Sequence, residues 1–500
     1  YPVCDQLVAS RYGEFEFTYQ DWTISGVYGV PTFARIVKGD TRLMFIDGFS
    51  WFRTSLAQVA KLLCPDLPKL KPPQGLGTRM FTARDDDFVA YAMRDAQVSY
   101  HQGLAIADMC AEFDIDQPVS VADMASRIFQ RGYIVEPIHN TGPRILEGAV
   151  KSYHGGKNNV VQGAAPAWHS HVDAWDLSSA YPHAMTQLPA FSNPRLFAAS
   201  RVFNSRAQRF PEHGVYCISG KVASCDWPVI FDHSFKPIRG AFENIWVTGY
   251  ELNEARRAGE ITLRRVHGHI YDTDRDPMTR TAFMAYCEDF YQLKSNARDP
   301  VRRYMYKTLL NSLYGKFIQS REVEAHDGGT EWRHGPLFHP FAASLITGHT
   351  RAVIHRMEHE TKAIHTATDG IFCGANNSPV NGFDWSPQSG LGSIECEGKD
   401  CELVMLRNKL YILYSDDPAN GYQSFVRPGK YVMKAAKHGF QGGVKDLEEL
   451  IMHNRRKYTV ERPNTLRTAL RSGAVPNKFE RHDLVLKVAP IKVHFNHAQQ

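Results

Sequence analysis

Two acids and a basic helix, carried on three stretches far apart in the chain, most constrain how this protein can fold. The stretches are Asp176-Leu-Ser-Ser-Ala-Tyr181-Pro182, Lys307-Thr-Leu-Leu-Asn311-Ser-Leu-Tyr314-Gly315-Lys-Phe and Thr366-Ala367-Thr368-Asp369-Gly370-Ile-Phe. The first and third each offer a carboxylate in a strand-like context. The second offers a cation, an amide and a phenol on one helix. The order strand, helices, strand, with the acids only on strands, predicts an α+β fold in which a helical insertion interrupts a sheet. Two carboxylates able to share divalent cations, beside a basic helix, meet the needs of phosphoryl transfer from a nucleoside triphosphate.

A chain of 500 residues exceeds one hydrophobic core, so several domains are expected. Its 43% hydrophobic and 22% charged content is that of a soluble globular protein, and no membrane-length apolar run or signal peptide is visible. The first residue is Tyr1 rather than Met, so residues can precede it. Nine cysteines without CxxC pairs argue for reduced thiols in a cytoplasmic compartment and against a structural zinc. The net charge of +5 is mild, but its distribution is uneven. Acids dominate residues 1–120, including the run Asp85-Asp86-Asp87. From residue 430 onward Lys430, Lys434, Lys437, Arg455, Arg456, Lys457, Arg462, Arg467 and Arg471 reverse the balance. A basic C-terminal segment beside a carboxylate site suits a polyanion held by its backbone.

Apolar spacing predicts helices over Leu56 to Leu63, stopped by Pro65, and over Phe88 to Ile106, where Tyr91 and Asp95 share a face. Pro137 to Gly163 reads as a linker holding Tyr153-His-Gly155-Gly156, whose glycines admit a close backbone approach. Ala174-Trp-Asp-Leu reads as a short buried strand ending near Asp176. Gly214 to Gly220 and Ile261 to Val266 alternate as strands do, with a helix over Thr248 to Ala258 between them. Residues 280–316 read as a helical hairpin broken near Asp299-Pro300, and Phe341 to Ile364 as a helix running into the strand that carries Asp369.

Asp176 and Asp369 are the candidate metal ligands, with the Leu177 carbonyl as a further oxygen; Mg²⁺ favours a few carboxylates plus triphosphate oxygens. Taken singly, a strand-end aspartate is a turn cap, and it is the company of these two that changes the reading. Tyr181 before Pro182 offers a rigid phenol able to lie under a deoxyribose and exclude a 2′-hydroxyl. Lys307, Asn311 and Tyr314, at i, i+4 and i+7, are expected on one helical face, with Lys294, Arg298, Arg302 and Arg303 upstream as a cationic wall. Lys409-Leu-Tyr411, on a predicted strand, offers an ammonium for a primer-terminal phosphate.

These residues resemble the family B DNA polymerases, and among them the protein-primed and self-priming type of phages and mobile elements. Asp176, Ser179, Tyr181 and Pro182 match that family's motif A, DxxSLYP. Lys307, Asn311, Ser312, Tyr314 and Gly315 match motif B, KxxxNSxYG. Thr368-Asp369 is similar to motif C, DTDS, Lys409-Leu-Tyr411 to the KxY motif, and Tyr153-His-Gly155-Gly156 to the YxGG linker. Lys294 and Arg303 fall where the family places triphosphate-holding cations, and Tyr91-Ala-Met-Arg-Asp95 resembles the third 3′–5′ exonuclease motif, YxxxD.

The resemblance implies a right-hand architecture, with an antiparallel palm sheet, helical fingers and a thumb, preceded by a partial RNase H-like exonuclease domain. The expected layout is an exonuclease-like domain over 1–150, the linker over 151–163, palm over 164–280 and 326–414, fingers over 281–325, and a thumb with basic helices over 415–500. It further implies two Mg²⁺ ions, with Mn²⁺ as a substitute, and dNTP substrates. Template–primer DNA is the expected partner, with a terminal protein or fused priming domain as a further one, and no membrane. Tyr153, Gly155, Gly156, Thr368, Lys409, Tyr411 and Lys437 would then touch DNA or primer, and Tyr91 and Asp95 would be exonuclease remnants. The chain departs from the family at motif C, where Ala367 and Gly370 replace Asp and Ser. It also lacks a DxE before Tyr91, Glu14-Phe-Glu16 being a poor substitute, so proofreading is not expected of this chain by itself. Primer extension is the expected activity; primer-independent synthesis and a degenerate DNA-binding scaffold are the alternatives.

Overall fold

A computed structural model describes residues 14–27, 33–74, 85–134, 143–161, 163–189, 198–223, 225–271, 281–324, 330–424, 427–438, 440, 442–452, 457–463 and 479–485. The chain divides into two compact units. The first comprises Tyr1–Val135, Glu288–Pro336 and Val460–His482; the second comprises Glu136–Cys287, Leu337–Thr459 and Asp483–Gln500.

The second unit is built on an eight-stranded sheet whose strands run, edge to edge, Tyr422–Gln423, Tyr431–Lys437, Leu410–Ser415, Ile394–Arg407, Ala167–Leu177, Gly370–Gly374, His365–Thr368 and Lys157–Val160. Every pairing is antiparallel. Strand alternation sorts its residues to two faces. Trp175, Ile371 and Cys373 pack with Ile354 and Met357 of the helix Pro340–Thr361. Val172, Ala174, Phe372, Leu413 and Tyr411 form a core on the opposite face. Asp176, two residues beyond Ala174, therefore belongs to the face turned away from that helix. A second, four-stranded sheet orders Ala198–Phe203, Ile261–Tyr271, Gly214–Val222 and Gly240–Thr248, closed over Phe210, Tyr216, Ile218 and Leu252.

The Pro340–Thr361 helix is buried along most of its length, polar residues included. Ser344, Arg351 and Glu358 recur every seventh residue, which keeps them on one stripe. The Ser344 hydroxyl donates to the Ala149 carbonyl, and Arg351 donates to the carbonyls of His154 and Gly155. Glu358 accepts from Lys157 and from Thr366. One helical stripe thus grips the segment from Ala149 to Lys157 at three successive points. Arg351 is held in turn by Glu251 at 2.7 Å, and Glu251 completes a capping box with Thr248 at the start of the helix Gly249–Arg257.

The first unit opens with a four-stranded antiparallel meander, Glu14–Tyr19, Trp22–Val27, Phe33–Lys38 and Thr41–Ile46. The helices Leu56–Leu63, Asp86–Glu112 and Val121–Gly132 follow. The expected helical hairpin is present as Ala282–Asn296 and Pro300–Ser312. Asp299 caps the second arm, its carboxylate accepting from the N–H groups of Val301 and Arg302, while Pro300 supplies a first-turn residue that needs no partner for an N–H. Among the described residues no helix is long and apolar enough to cross a membrane.

Several local expectations need correction. The α-helix carrying Lys307 and Asn311 ends at Ser312, and Tyr314 begins a tighter 3₁₀ turn, Tyr314–Ile318. Asn, Ser and Gly are poor interior helix residues, and here they mark the helix end. The linker region contains a helix, Pro143–Ser152. Asp369 is not within a strand but in the turn between His365–Thr368 and Gly370–Gly374, as Thr-Asp-Gly chemistry favours. Lys409 likewise occupies a turn, at φ +57°, and only Leu410 and Tyr411 enter the following strand. Past residue 415 the strand Tyr431–Lys437 still belongs to the eight-stranded sheet, so the boundary expected there falls inside it. The helix that follows, Val444–Met452, carries more acids than bases, not the expected excess of bases. Arg455, Arg456, Arg467 and Arg471 lie outside the described residues.

Removing a charge from the buried stripe leaves its partner uncompensated in a dry interior. Arg351→Ala is expected to destabilise the protein by about 3–5 kcal/mol through the stranded Glu251, read as a lowered thermal transition. An unchanged transition would show that the ion pair does not hold this unit together.

Candidate active site

Asp176 is the penultimate residue of its strand, facing Gly370 on one side and Glu395 on the other. The N–H of Leu177 donates to the carbonyl of Asp369 at 2.8 Å, which fixes the turn bearing Asp369 against the end of the Asp176 strand. That turn is as tight as a chain can make. The Asp369 N–H returns to the Ala367 carbonyl at 2.7 Å, across Thr368 at φ +63°. A β-branched residue in this region is strained, and such strain collects at functional sites. Gly370 is required by crowding, because a Cβ there would lie 2.9 Å from both Oδ1 of Asp176 and the carbonyl of Trp175. The glycine that departs from the motif C pattern is therefore fitted to the neighbouring acid.

The acids disturb one another. Burial raises the Asp176 carboxyl to a pKa of about 7, with the charges of Asp369, Glu397 and Glu395 adding to the rise and Lys434 opposing it. Asp369 is also raised, first by burial and then by Glu397, while its own N–H and Lys434 pull it down. Lys434 bonds Glu397 at 3.0 Å. Burial works against its charge, but Glu397 and Asp176 outweigh that and hold the ammonium above its ordinary range. Four carboxylates facing one lysine leave an excess of negative charge. An all-oxygen donor set of that kind suits Mg²⁺, with Asp176 and Asp369 as the candidate ligands. Glu395, Glu397 and Lys434 were not singled out as site residues in the sequence, although two acids one residue apart on a strand share a face.

Other candidate residues converge here. A Cβ on Gly156 would run into the Thr368 side chain and lie 2.8 Å from the Tyr181 hydroxyl, so Gly156, Thr368 and Tyr181 meet at one point. Tyr181 is the second residue of the short helix Ala180–Thr186, entered through Ser179 in the left-handed region. Gly155 has open space around it, and its contribution is the carbonyl taken by Arg351. Tyr153 is partly buried, which raises its phenol. Asn408 donates to the Asn158 carbonyl at 3.0 Å, joining the Lys409 turn to the linker strand. Lys409 is exposed, and Lys437 is exposed with its ammonium on the Gly442 carbonyl at 2.8 Å. Tyr411 is 3% exposed, its ring against Phe372 and His365, so it packs the sheet rather than presenting an open surface.

The remaining candidates belong to the first unit. On the helix Pro300–Ser312, Met305, Tyr306, Leu309 and Leu310 are buried, whereas Arg303, Lys307 and Asn311 form an exposed stripe at i, i+4 and i+8. Arg302 is taken by Glu112 at 3.0 Å. Lys294 lies over the Tyr291 ring at 4.2 Å. Asn311, Ser312, Tyr314 and Gly315 line a cavity of about 310 Å³ together with Arg53 and Ser120. On the helix Asp86–Glu112, Tyr91 and Asp95 meet Lys69, whose ammonium is 3.0 Å from the phenol and 2.5 Å from the carboxylate. Lys69 was absent from the sequence reading because it comes from a separate segment.

The family model described as DNA polymerase type B, organellar and viral, matches residues 88–326. The primer-independent DNA polymerase PolB of Escherichia coli is 23% identical over 420 residues, covering 71% of this chain and 46% of that protein. A DNA-directed DNA polymerase of Enterobacteria phage PRD1 is 28% identical over 169 residues, 27% of this chain and 30% of that protein. The chain thus spans less than half the length of these curated relatives. Among solved structures, Phi29 DNA polymerase complexed with primer–template DNA superposes with a TM-score of 0.64 at 16% identity, covering 91% of this chain and 82% of that one. Its ternary complex with incoming nucleotide gives 0.61 at 15% identity, over the same shares.

The raised Asp176 carboxyl makes a signed prediction for the metal-free protein. Its folded pKa of about 7 exceeds the unfolded value near 3.8, so the folded state holds the proton more tightly. The stability this contributes is complete below the lower value and is lost as pH rises through the upper. In EDTA, the thermal transition should fall between pH 5 and pH 8. Asp176→Asn should raise the pH 8 transition, by roughly 1–3 kcal/mol of stability. A variant melting no higher than the parent at pH 8 would contradict the crowded-acid reading.

Proposed function

Because the chain belongs to the family B DNA polymerases of the organellar and viral type, we propose that it adds deoxynucleotides to a primer 3′-hydroxyl under the direction of a DNA template, replicating phage or mobile-element DNA. The observation that carries this reading is the Leu177–Asp369 backbone bond, which sets Asp369 against the strand of Asp176 amid an uncompensated acid cluster. Asp176, Asp369 and the Leu177 carbonyl would hold two Mg²⁺ ions, replaceable by Mn²⁺, which when bound would neutralise triphosphate charge and acidify the primer hydroxyl.

The chain's own residues do the rest. Lys307 and Arg303, neighbours on an exposed stripe, hold the triphosphate with Lys294. Asn311 and Tyr314 border the nascent base pair, where the absence of a side chain on Gly315 leaves room. Tyr181 lies beneath the sugar and selects deoxyribose, its position supported by the close packing of Gly156 and Thr368. Lys409, Lys437 and the Tyr153–Gly156 segment follow the primer and template backbones, while Tyr411 stiffens the strand behind the acids. Tyr91, Asp95 and Lys69 are the remnant of an exonuclease-like centre.

A second reading, strand initiation without a supplied primer, is favoured by the similarity to the Escherichia coli primer-independent enzyme and by the altered motif C. Single-stranded circular template with dNTPs alone separates the two: long product without primer favours initiation, and product only with primer favours extension.

Asp369→Ala is expected to lower primer extension at least about a hundredfold, with either metal, while leaving DNA binding in gel-shift assays intact. DNA binding with no extension by the parent in either metal would overturn the catalytic reading. Gly370→Ser, which restores the family residue, should slow extension here because the new side chain meets the Asp176 carboxylate. Tyr181→Ala should raise ribonucleotide incorporation, and unchanged sugar selectivity would remove Tyr181 from that role.

A further inference from the structure

Away from the acid cluster, and unused by the proposed reaction, Glu260, His355 and His359 turn their ligand atoms toward one point. The three atoms lie within 4.8 Å of one another, the only such group of metal-binding side chains among the described residues. His355 and His359 are four residues apart on the helix Pro340–Thr361, so both rings leave one face, with centroids 4.5 Å apart. Glu260 stands at the junction between the helix Gly249–Arg257 and the strand Ile261–Tyr271. Its carboxylate lies 3.2 Å from Nε2 of His355 and 2.6 Å from Nε2 of His359. Cys225 neighbours that carboxylate, outside the group of three, and burial followed by the Glu260 charge raises its thiol.

We propose that Glu260, His355 and His359 form a structural Zn²⁺ site, with Cys225 turning in from its place beside Glu260 as the fourth ligand. Two imidazole nitrogens, a carboxylate oxygen and a thiolate are a donor set Zn²⁺ accepts, whereas Mg²⁺ and Ca²⁺ call for oxygens alone. The i, i+4 histidine pair is the arrangement by which one helix presents two nitrogens to a single ion. Burial points to a structural ion. His355 is fully buried and Glu260 is 5% exposed, while the 25% exposure of His359 leaves a path for entry. Four protein ligands would leave no open position for substrate. Trp227 steadies the rim, its ring edge-on to His359 with centroids 5.1 Å apart and its indole N–H on the Ala363 carbonyl at 2.9 Å. Binding would release the Cys225 proton to solvent and replace the histidine–glutamate hydrogen bonds by metal bonds. The ion would clamp the helix one residue from Glu358, which holds Lys157 and Thr366 and thereby the strand leading to Asp369.

The test uses the purified full chain, loaded with ZnCl₂, freed of excess by gel filtration and assayed for metal by mass spectrometry. About one zinc per chain should be retained, and titration with Co²⁺ should give the visible absorption of a tetrahedral site with a thiolate charge-transfer band. His359→Gln and Glu260→Gln should each lower retained zinc at least roughly tenfold. The Asp176→Asn, Asp369→Asn double variant should retain it fully, separating this site from the acid cluster whether or not the chain polymerises DNA. Cys225→Ser, a mild change, should still bind Co²⁺ but lose the charge-transfer band. Added Zn²⁺ should raise the melting temperature of the parent but not of His359→Gln. A parent holding no zinc above buffer level, or retention unchanged in a folded His359→Gln protein, would overturn the proposal; an unchanged band in Cys225→Ser would overturn the fourth ligand.

Discussion

A charge buried away from water needs a partner, and in the second unit that requirement is met along one stripe of one helix. Ser344, Arg351 and Glu358 face the same way, and each takes hold of a different point between Ala149 and Lys157. The stripe fixes the register of the helix against the linker strand, since sliding either by a residue would leave Glu358 or Arg351 unpaired. Glu358 also accepts from Thr366, so the hairpin carrying Asp369 is tied to the same anchor. From there Gly156 allows Thr368 and Tyr181 to approach within contact distance. The position of the turn that carries Asp369 therefore follows from a buried electrostatic constraint several residues away.

The acid site itself is built against stability. Asp176 and Asp369 are both pushed toward their neutral forms, Thr368 sits in a strained turn, and Glu395 and Glu397 add negative charge that Lys434 only partly offsets. These costs make sense where cations are to be bound, because each one is relieved by a divalent ion or a substrate held there. The rigid frame of sheet and buried helix is what lets the site carry them. A loop without that backing would relax, and the acids would separate.

Much of this was legible in the residue order. The helix Leu56–Leu63 was read to the residue, and the hairpin broken at Asp299-Pro300 followed from capping and proline chemistry. Asp176 and Asp369 were singled out because their motifs put unusual residues in fixed order. Glu397, Lys434, Lys69 and Arg351 were passed over as site residues because each matters through a partner distant in sequence. Lys434 looked like one more base in a basic tail. Cysteine spacing argued against zinc, but such arithmetic does not register two histidines one helical turn apart that meet a glutamate from another element. Tyr314 was assigned to the preceding helix by periodicity, which carries no signal for a change from α to 3₁₀ winding.

Local patterning alone determined much of the alternation of strands and helices and marked Asp176 and Asp369 as candidates. Those properties depend on backbone preferences and side-chain periods that act over a few residues. Tertiary structure alone decided that Gly370 must lack a side chain, that Tyr411 belongs to the core, and that one buried helix sets the position of the linker and of the turn that carries Asp369. The physical reason is common to all three. Crowding, burial and ion pairing are relations between residues brought together by the fold, and their energies do not exist until the chain has closed on itself.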